Sequence, residues 1–255
     1  MLKLLKGLFG KQPPADELDD GPPVLDGERL APYRRPCWVP KVEGGDGGPR
    51  ASKFSGTVAL RQGESWPLCP NCKRPMQLFL QLNAADLPEG FTAPWGEGLL
   101  QFFYCTTSKP LCEIDCEAYA PFAQSTLLRV LPLDQASAVA RPPREAFPAK
   151  RIVGWEILDD LPGWEELRNF GFADGDAEEV MNAGYPHERD KLSGWPAWVQ
   201  GVEYPQCPDC GAEMKMLFQI DSNDNLPYMF GDAGCGHITY CEKHPRVLAF
   251  GWACG

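Results

Sequence analysis

The feature that most constrains this chain is an internal repeat. A shift of 138 residues aligns residues 52–83, SKFSGTVALRQGESWPLCPNCKRPMQLFLQLN, with residues 190–221, DKLSGWPAWVQGVEYPQCPDCGAEMKMLFQID, without a gap. Twelve of the 32 positions are identical: Lys53/Lys191, Ser55/Ser193, Gly56/Gly194, Ala59/Ala197, Gln62/Gln200, Gly63/Gly201, Pro67/Pro205, Cys69/Cys207, Pro70/Pro208, Cys72/Cys210, Met76/Met214 and Gln81/Gln219. Tyr104-Cys105 and Tyr240-Cys241 match further on, after a small difference in length. Self-similarity at a fixed spacing is the signature of a module used twice. Each copy runs from a Ser-Gly turn through Cys-Pro-x-Cys into one strand, a loop, and a second strand.

The strands are read from short apolar and aromatic runs. They are Met76–Leu82, Leu99–Tyr104, Thr126–Leu131, Ile152–Ile157, Met214–Ile220, Gly236–Tyr240 and Arg246–Phe250. The clearest helix is Gly163–Phe170, with Pro162 at its start, Glu165 and Glu166 in its first turn and Gly171 at its end. Trp164, Leu167 and Phe170 make its apolar stripe, and a second short helix is expected over Ala177–Ala183. With 26 Gly and 26 Pro in 255 residues, turns should be many and long helices few. The expectation is a mainly β fold, with α+β as the alternative, built from two tandem related sheet modules with few short helices. The divisions are a poorly regular lead-in at 1–50, a first module at 51–150, an acidic helical connector at 151–189 and a second module at 190–255.

Cysteine spacing carries the most chemistry. Cys69-Pro-Asn-Cys72 and Cys207-Pro-Asp-Cys210 each present two thiolates that can chelate one tetrahedral ion, and each needs two more ligands. The first site is read as Cys69, Cys72, Cys105 and Cys112, with Cys116 as substitute for Cys112. The second is read as Cys207, Cys210, Cys241 and His244, with Cys254 in reserve. Zinc is the expected ion, in one or two structural sites, because four protein ligands leave no position for water. Disulfides fit poorly with an odd number of cysteines and no secretory leader in the first residues. Redox chemistry would prefer a Cys-x-x-Cys that opens a helix.

No constellation demands an enzyme. The chain lacks Gly-x-Ser-x-Gly, a phosphate loop with its Lys, and His-Glu-x-x-His. Gly231-Asp-Ala-Gly-Cys-Gly236 reads as a tight turn, Cys235 as a nucleophile only if a base stands beside it, and His237 as a packed histidine. Net charge is −11, which argues against a nucleic-acid surface. Residues 156–190 hold eleven acids against Arg168 and Arg189, a local net of −9. Such a run is a solvated linker or a docking surface for a basic partner. No run reaches the length of a membrane span, although the basic, amphipathic stretch from Met1 to Pro14 allows surface contact. The cytoplasm is the expected compartment.

Ser52-Lys-Phe-Ser-Gly, Trp66-Pro-x-Cys-Pro-x-Cys, Met76-x-Leu-x-Leu-Gln-Leu, Leu99-Leu-Gln-Phe-Phe-Tyr-Cys and Met229-Phe-Gly-Asp-Ala-Gly-Cys-Gly together resemble the bacterial YwqG family, a domain of unknown function. The cysteine-bearing segments also resemble programmed cell death protein 2 and its yeast relative. The resemblance covers about residues 50–255. It implies a duplicated, zinc-containing cytosolic protein that binds another protein. Dedicated chaperoning of a basic ribosomal protein follows from the eukaryotic relatives, and neutralisation of a toxin from some bacterial ones. It transfers no catalytic residue, and a Cys-dependent enzyme is the remote alternative.

Overall fold

The computed structural model describes residues 27–255. The basic stretch from Met1 to Pro14 lies outside them. A short helix α1 (Gly27–Leu30) leads into strand β1 (Arg35–Gly44), and then come β2 (Lys53–Phe54), β3 (Val58–Leu60), β4 (Gln77–Asn83) and β5 (Leu99–Tyr104). Helix α2 (Cys112–Asp115) precedes β6 (Thr126–Leu131), β7 (Ala138–Ala140) and β8 (Lys150–Asp160). Helices α3 (Trp164–Asn169) and α4 (Asp174–Asn182) follow, and the chain closes with β9 (Lys191–Ser193), β10 (Lys215–Asp221), β11 (Cys235–Tyr240) and β12 (Leu248–Ala253). The fold is mainly β, as the apolar runs imply, with few short helices.

Ten strands form one sheet in the order β12-β11-β10-β9-β1-β8-β2-β4-β5-β6, and β3 pairs with β7 apart from it. The two edges, β6 and β12, approach each other, so the sheet curls nearly into a barrel. Closure of this kind removes exposed edges. The curled sheet encloses an aromatic core from both halves of the chain, including Phe54, Phe79, Phe102, Tyr104, Phe218, Phe230, Phe250 and Trp252. The Phe102 and Phe250 rings lie 4.4 Å apart, and the Trp252 Nε1 donates to the Tyr104 hydroxyl at 3.0 Å. Aromatic pairs at such separations add to the area they bury.

The middle of the sheet is β1 against β8, antiparallel from Arg35↔Asp160 to Gly44↔Lys150, with a bulge between Lys41 and Val42. This corrects, over Arg35–Gly44, the expectation of a poorly regular lead-in at 1–50, of which residues 1–26 lie outside those described. Pro36 and Pro40 disguise β1, since proline cannot donate to a sheet ladder. The strand tolerates them because β9 pairs with it only at Cys37 and Trp38. Likewise 151–189 is more than a helical connector, because β8 occupies its first ten residues. Its helices lie close to the expected positions, and Leu161, Leu167, Ala177, Val180 and Leu30 make a satellite core.

The two aligned stretches have matching local geometry. Each Ser-Gly turn has both residues in the left-handed region, Ser55 and Gly56 at φ 57 and 96, Ser193 and Gly194 at φ 62 and 84. The Gln81 amide donates to the carbonyls of Pro49 and Ala51, and the Gln219 amide to those of His187 and Arg189, positions 138 residues on in both cases. Both β4 and β10 bulge at equivalent points, Leu78/Leu80 and Met216/Phe218. Each turn also holds a buried lysine. Lys53 Nζ bonds Asp46, which also accepts from the Thr57 amide at 2.9 Å. Lys191 Nζ bonds Asp160 at 2.8 Å, and that carboxylate also accepts from the Trp195 amide at 2.8 Å.

Candidate metal centres

Sheet register brings the first cysteines together. Gln77 at the start of β4 pairs with Tyr104 at the end of β5, so the turn entering β4 lies beside the residue leaving β5. Cys69 and Cys72 are in that turn, and Cys105 follows β5 directly. The Cys69 amide donates to the Arg74 carbonyl at 2.9 Å and the Lys73 amide to the Cys69 carbonyl at 2.9 Å, which folds the turn back on itself. Lys73 takes φ 61, and Gly211 fills the same role in the second turn at φ 69, where no Cβ opposes it. Cys112 opens α2 and completes the group. The same register operates in the second half, where Lys215 pairs with Tyr240 and Cys241 follows β11.

Two four-ligand groups result, Cys69/Cys72/Cys105/Cys112 and Cys207/Cys210/Cys241/His244. In each, all ligand atoms lie within 4.8 Å of one another. The Cys72–Cys105 and Cys210–Cys241 sulfurs are each 3.7 Å apart. His244 Nδ1 is 3.6 Å from the Cys207 sulfur and 3.8 Å from the Cys241 sulfur. A tetrahedral ion with ordinary zinc–sulfur and zinc–nitrogen lengths separates its sulfurs by about 3.8 Å, and sulfur from nitrogen by about 3.6 Å. The donors therefore fit a small tetrahedral cation, and all eleven cysteines are free of disulfides. Both groups could hold a metal ion.

Electrostatics favour a cation at each group. Burial opposes ionisation of Cys72, but hydrogen bonding with Thr107, the Arg74 backbone and the neighbouring thiols brings its thiol down to about 6. Cys241 is brought down to about 7 against the same burial, by the His244 and Lys243 backbone and by Cys207 and Cys210. Cys105 and Cys112 are pushed up, chiefly by burial, Cys112 to about 11. Thiols packed this closely cannot all ionise unless a cation sits among them. The Asn71 amide lies 3.4 Å from the Cys112 sulfur, an outer hydrogen bond of the kind that orients a ligand.

Cys116 and Cys254 lie outside these groups. Cys116 is one helical turn beyond Cys112, where the Gln124 amide lies 3.7 Å from its sulfur. Cys254 borders a cavity near the end of the chain. A third group joins Cys37, Asp160 and His187, residues too far apart in sequence to suggest a motif. It is a poor cation site. Asp160 is already bonded to the Lys191 ammonium, and burial beside Asp160 pushes the Cys37 thiol up to about 12.

Cys235 and His237 come together without forming an activated pair. Their Sγ and Nε2 atoms are 3.8 Å apart, but both residues are buried. Burial raises the thiol well above its ordinary value and, aided by Lys191, lowers the imidazole to about 3. A thiol that resists ionisation beside a weak base is a poor nucleophile. The glycine-dense segment before them is a turn, closed by the Gly234 amide on the Phe230 carbonyl at 2.8 Å.

The acidic run separates into buried and open carboxylates. Glu166 is buried, its Oε1 accepting from the Tyr204 hydroxyl at 2.6 Å, and Asp160 and Asp190 are fully buried. Asp159 pairs with Arg34 and Asp176 with Arg29. Glu165, Glu178 and Glu188 instead line a groove of about 840 Å³ with Trp164, Met181 and Tyr185, and among the described residues no lysine or arginine lines it.

A family model described as a domain of unknown function (DUF1963) matches residues 52–244, a span that encloses all eight ligands of the two groups. The chain is also similar to "Uncharacterized protein YpfL" of Salmonella typhimurium, 27% identical over 160 residues. That match takes in 61% of this chain and 32% of the relative, so it spans about a third of the relative's length.

Proposed function

The chain belongs to the DUF1963 family of domains of unknown function, and from that premise we propose that it is a non-enzymatic, zinc-pinned protein that binds a basic segment of a partner protein. The observation that carries this reading is the groove in which Glu165, Glu178 and Glu188 stand among Trp164, Met181 and Tyr185. Open carboxylates on apolar walls suit a peptide with alternating basic and apolar side chains. The closed ligand groups support a structural metal, and zinc is favoured by the Cys₄ and Cys₃His donor sets. Duplication of one module is part of the same proposal, supported by the aligned residues and by their matching turns, bulges and glutamine bonds.

A chaperone for a basic ribosomal protein is the client class that the resemblance to programmed cell death protein 2 supports. The test is fluorescence anisotropy of a labelled Lys- and Leu-rich peptide against the metal-loaded protein. Replacing Glu165, Glu178 and Glu188 together by Gln should weaken binding about tenfold or more and flatten its dependence on salt. Unchanged affinity in that variant would rule out the groove. Tight capture of one folded enzyme through high salt by the same variant would replace the client reading with toxin neutralisation.

A further inference from the structure

A second cavity, of about 510 Å³, lies behind the acidic groove, with Trp198 and Val199 in the walls of both. Its other walls include Tyr119, Tyr204 and Trp252, and the two strand residues His237 and Thr239 face it from β11. The rings stand in two sets. Trp198 lies 4.9 Å from Tyr204 and 4.7 Å from His237, and Tyr119 packs edge-on to Trp252 at 6.1 Å. The polar ends of two of these rings are committed elsewhere, the Tyr204 hydroxyl to Glu166 and the Trp252 Nε1 to Tyr104. What those two residues offer the cavity is ring surface.

The polar groups of the cavity are equally particular. Thr239 is 2% exposed, and its hydroxyl has no hydrogen-bond partner among the described residues. Alternate residues of a strand share a face, so Thr239 points to the same side as His237, into the cavity they both line. A buried hydroxyl without a partner costs stability, and valine would fill the same volume without that cost. The imidazole of His237 is held neutral by burial, so it can accept a hydrogen bond as well as donate one. Among the described residues no lysine or arginine lines the cavity, and the exposed Glu203 is its one carboxylate.

We propose that this cavity binds a small protonated organic amine, its ammonium held against the aromatic walls, with Thr239 and His237 as acceptors for its N–H groups and Glu203 at the mouth. Aromatic faces attract cations most strongly where water is excluded. An unpaired hydroxyl and a neutral imidazole supply the acceptors that an ammonium requires, and Glu203, the one formal charge of the lining among the described residues, has the complementary sign. The site does not depend on the peptide groove, because its acceptors and three of its four large rings are not shared with it.

Calorimetric titration of the metal-loaded protein with benzylamine, benzyl alcohol and benzoate at neutral pH tests the assignment. Benzylamine should bind about tenfold more tightly than the neutral alcohol of the same shape, and benzoate should not bind. Thr239→Val should weaken benzylamine about tenfold while the thermal midpoint stays level or rises, a pairing that damage to the fold would not produce. Trp198→Leu should weaken the amine more than the alcohol. Equal binding of amine and alcohol, no saturable binding of benzylamine, or an unchanged affinity in Thr239→Val would each overturn the proposal.

Discussion

Lys191→Met should cost this fold far more than Lys53→Met, although the two lysines occupy matching positions and both are fully buried. The difference lies in the carboxylates they face. The Asp160 side chain is 0% exposed, whereas that of Asp46 is 34% exposed. Removing Lys191 strands a carboxylate that water cannot reach. That carboxylate keeps two backbone donors, the amides of His187 at 3.1 Å and Trp195 at 2.8 Å. Breaking a buried pair typically costs ~3–5 kcal/mol, and the remaining donors place this case near ~3 kcal/mol. Removing Lys53 leaves Asp46 with the Thr57 amide and hydroxyl and with access to solvent. The loss there should be about 1 kcal/mol, nearer the range for exposed pairs. For a chain of this size the two variants should melt lower by ~10 °C and ~3 °C. Urea unfolding followed by far-ultraviolet circular dichroism, with zinc saturating and metal content checked in each variant, gives the comparison. Equal losses in the two variants would show that burial of the partner carboxylate does not govern the energetics.

Two further outcomes concern the metal centres and pH. The purified protein should carry two zinc ions per chain by mass under native conditions, and Cys72→Ser and Cys210→Ser should each lose one; a full complement in either variant would remove that cysteine from its group. Burial chiefly raises Glu166 from 4.5 to about 7 in the folded chain, so between those values the folded state holds a proton that the unfolded chain has released. Stability should therefore fall as pH rises across that window, by at most about 3 kcal/mol, and Glu166→Gln should reduce the slope. Identical slopes in urea titrations of the two proteins between pH 5 and 7.5 would refute this.

The sequence made visible those parts of the fold that depend on local pattern. Leu99–Tyr104 and Thr126–Leu131 form strands over the expected residues because short runs rich in apolar and aromatic side chains suit the fully buried β5 and the half-buried edge strand β6. It concealed the parts that depend on partners. β1 reads as a proline-bearing loop until β8 is placed beside it. β2 and β9 are two and three residues long, and each begins with a buried lysine, which inverts the pattern expected of a core strand. Of the metal ligands, the Cys-x-x-Cys pairs are evident from spacing. The choice between Cys112 and Cys116 is not, because both fall at the ends of one helical turn. The acidic run looked uniform, yet Glu166 and Asp190 are buried while Glu165, Glu178 and Glu188 open onto the groove. The aromatic cavity carries no motif at all, since Thr239, Trp198 and Tyr119 come from separate parts of the chain.

The segment from Ala197 to Pro205 links these features physically. It contributes Trp198 and Val199 to both the groove and the cavity, and Gln200, Glu203 and Tyr204 to the cavity. At one end the Ala197 amide is held by the Gln219 side chain at 2.8 Å. At the other the Pro205 carbonyl accepts from the Met214 amide at 2.8 Å, closing the turn that carries Cys207 and Cys210. The second metal group thus fixes one end of the segment on which both proposed binding surfaces depend, whereas the first group, through Cys112 on α2, stands close in the chain to Tyr119, which lines the cavity but not the groove. Loss of the second metal should loosen the walls of both surfaces, and loss of the first should leave the groove in place. Cys210→Ser should therefore weaken both the basic peptide and benzylamine while Cys72→Ser leaves binding of the basic peptide unchanged. If the two variants behave alike in these titrations, this anchoring role does not belong to the second metal group alone.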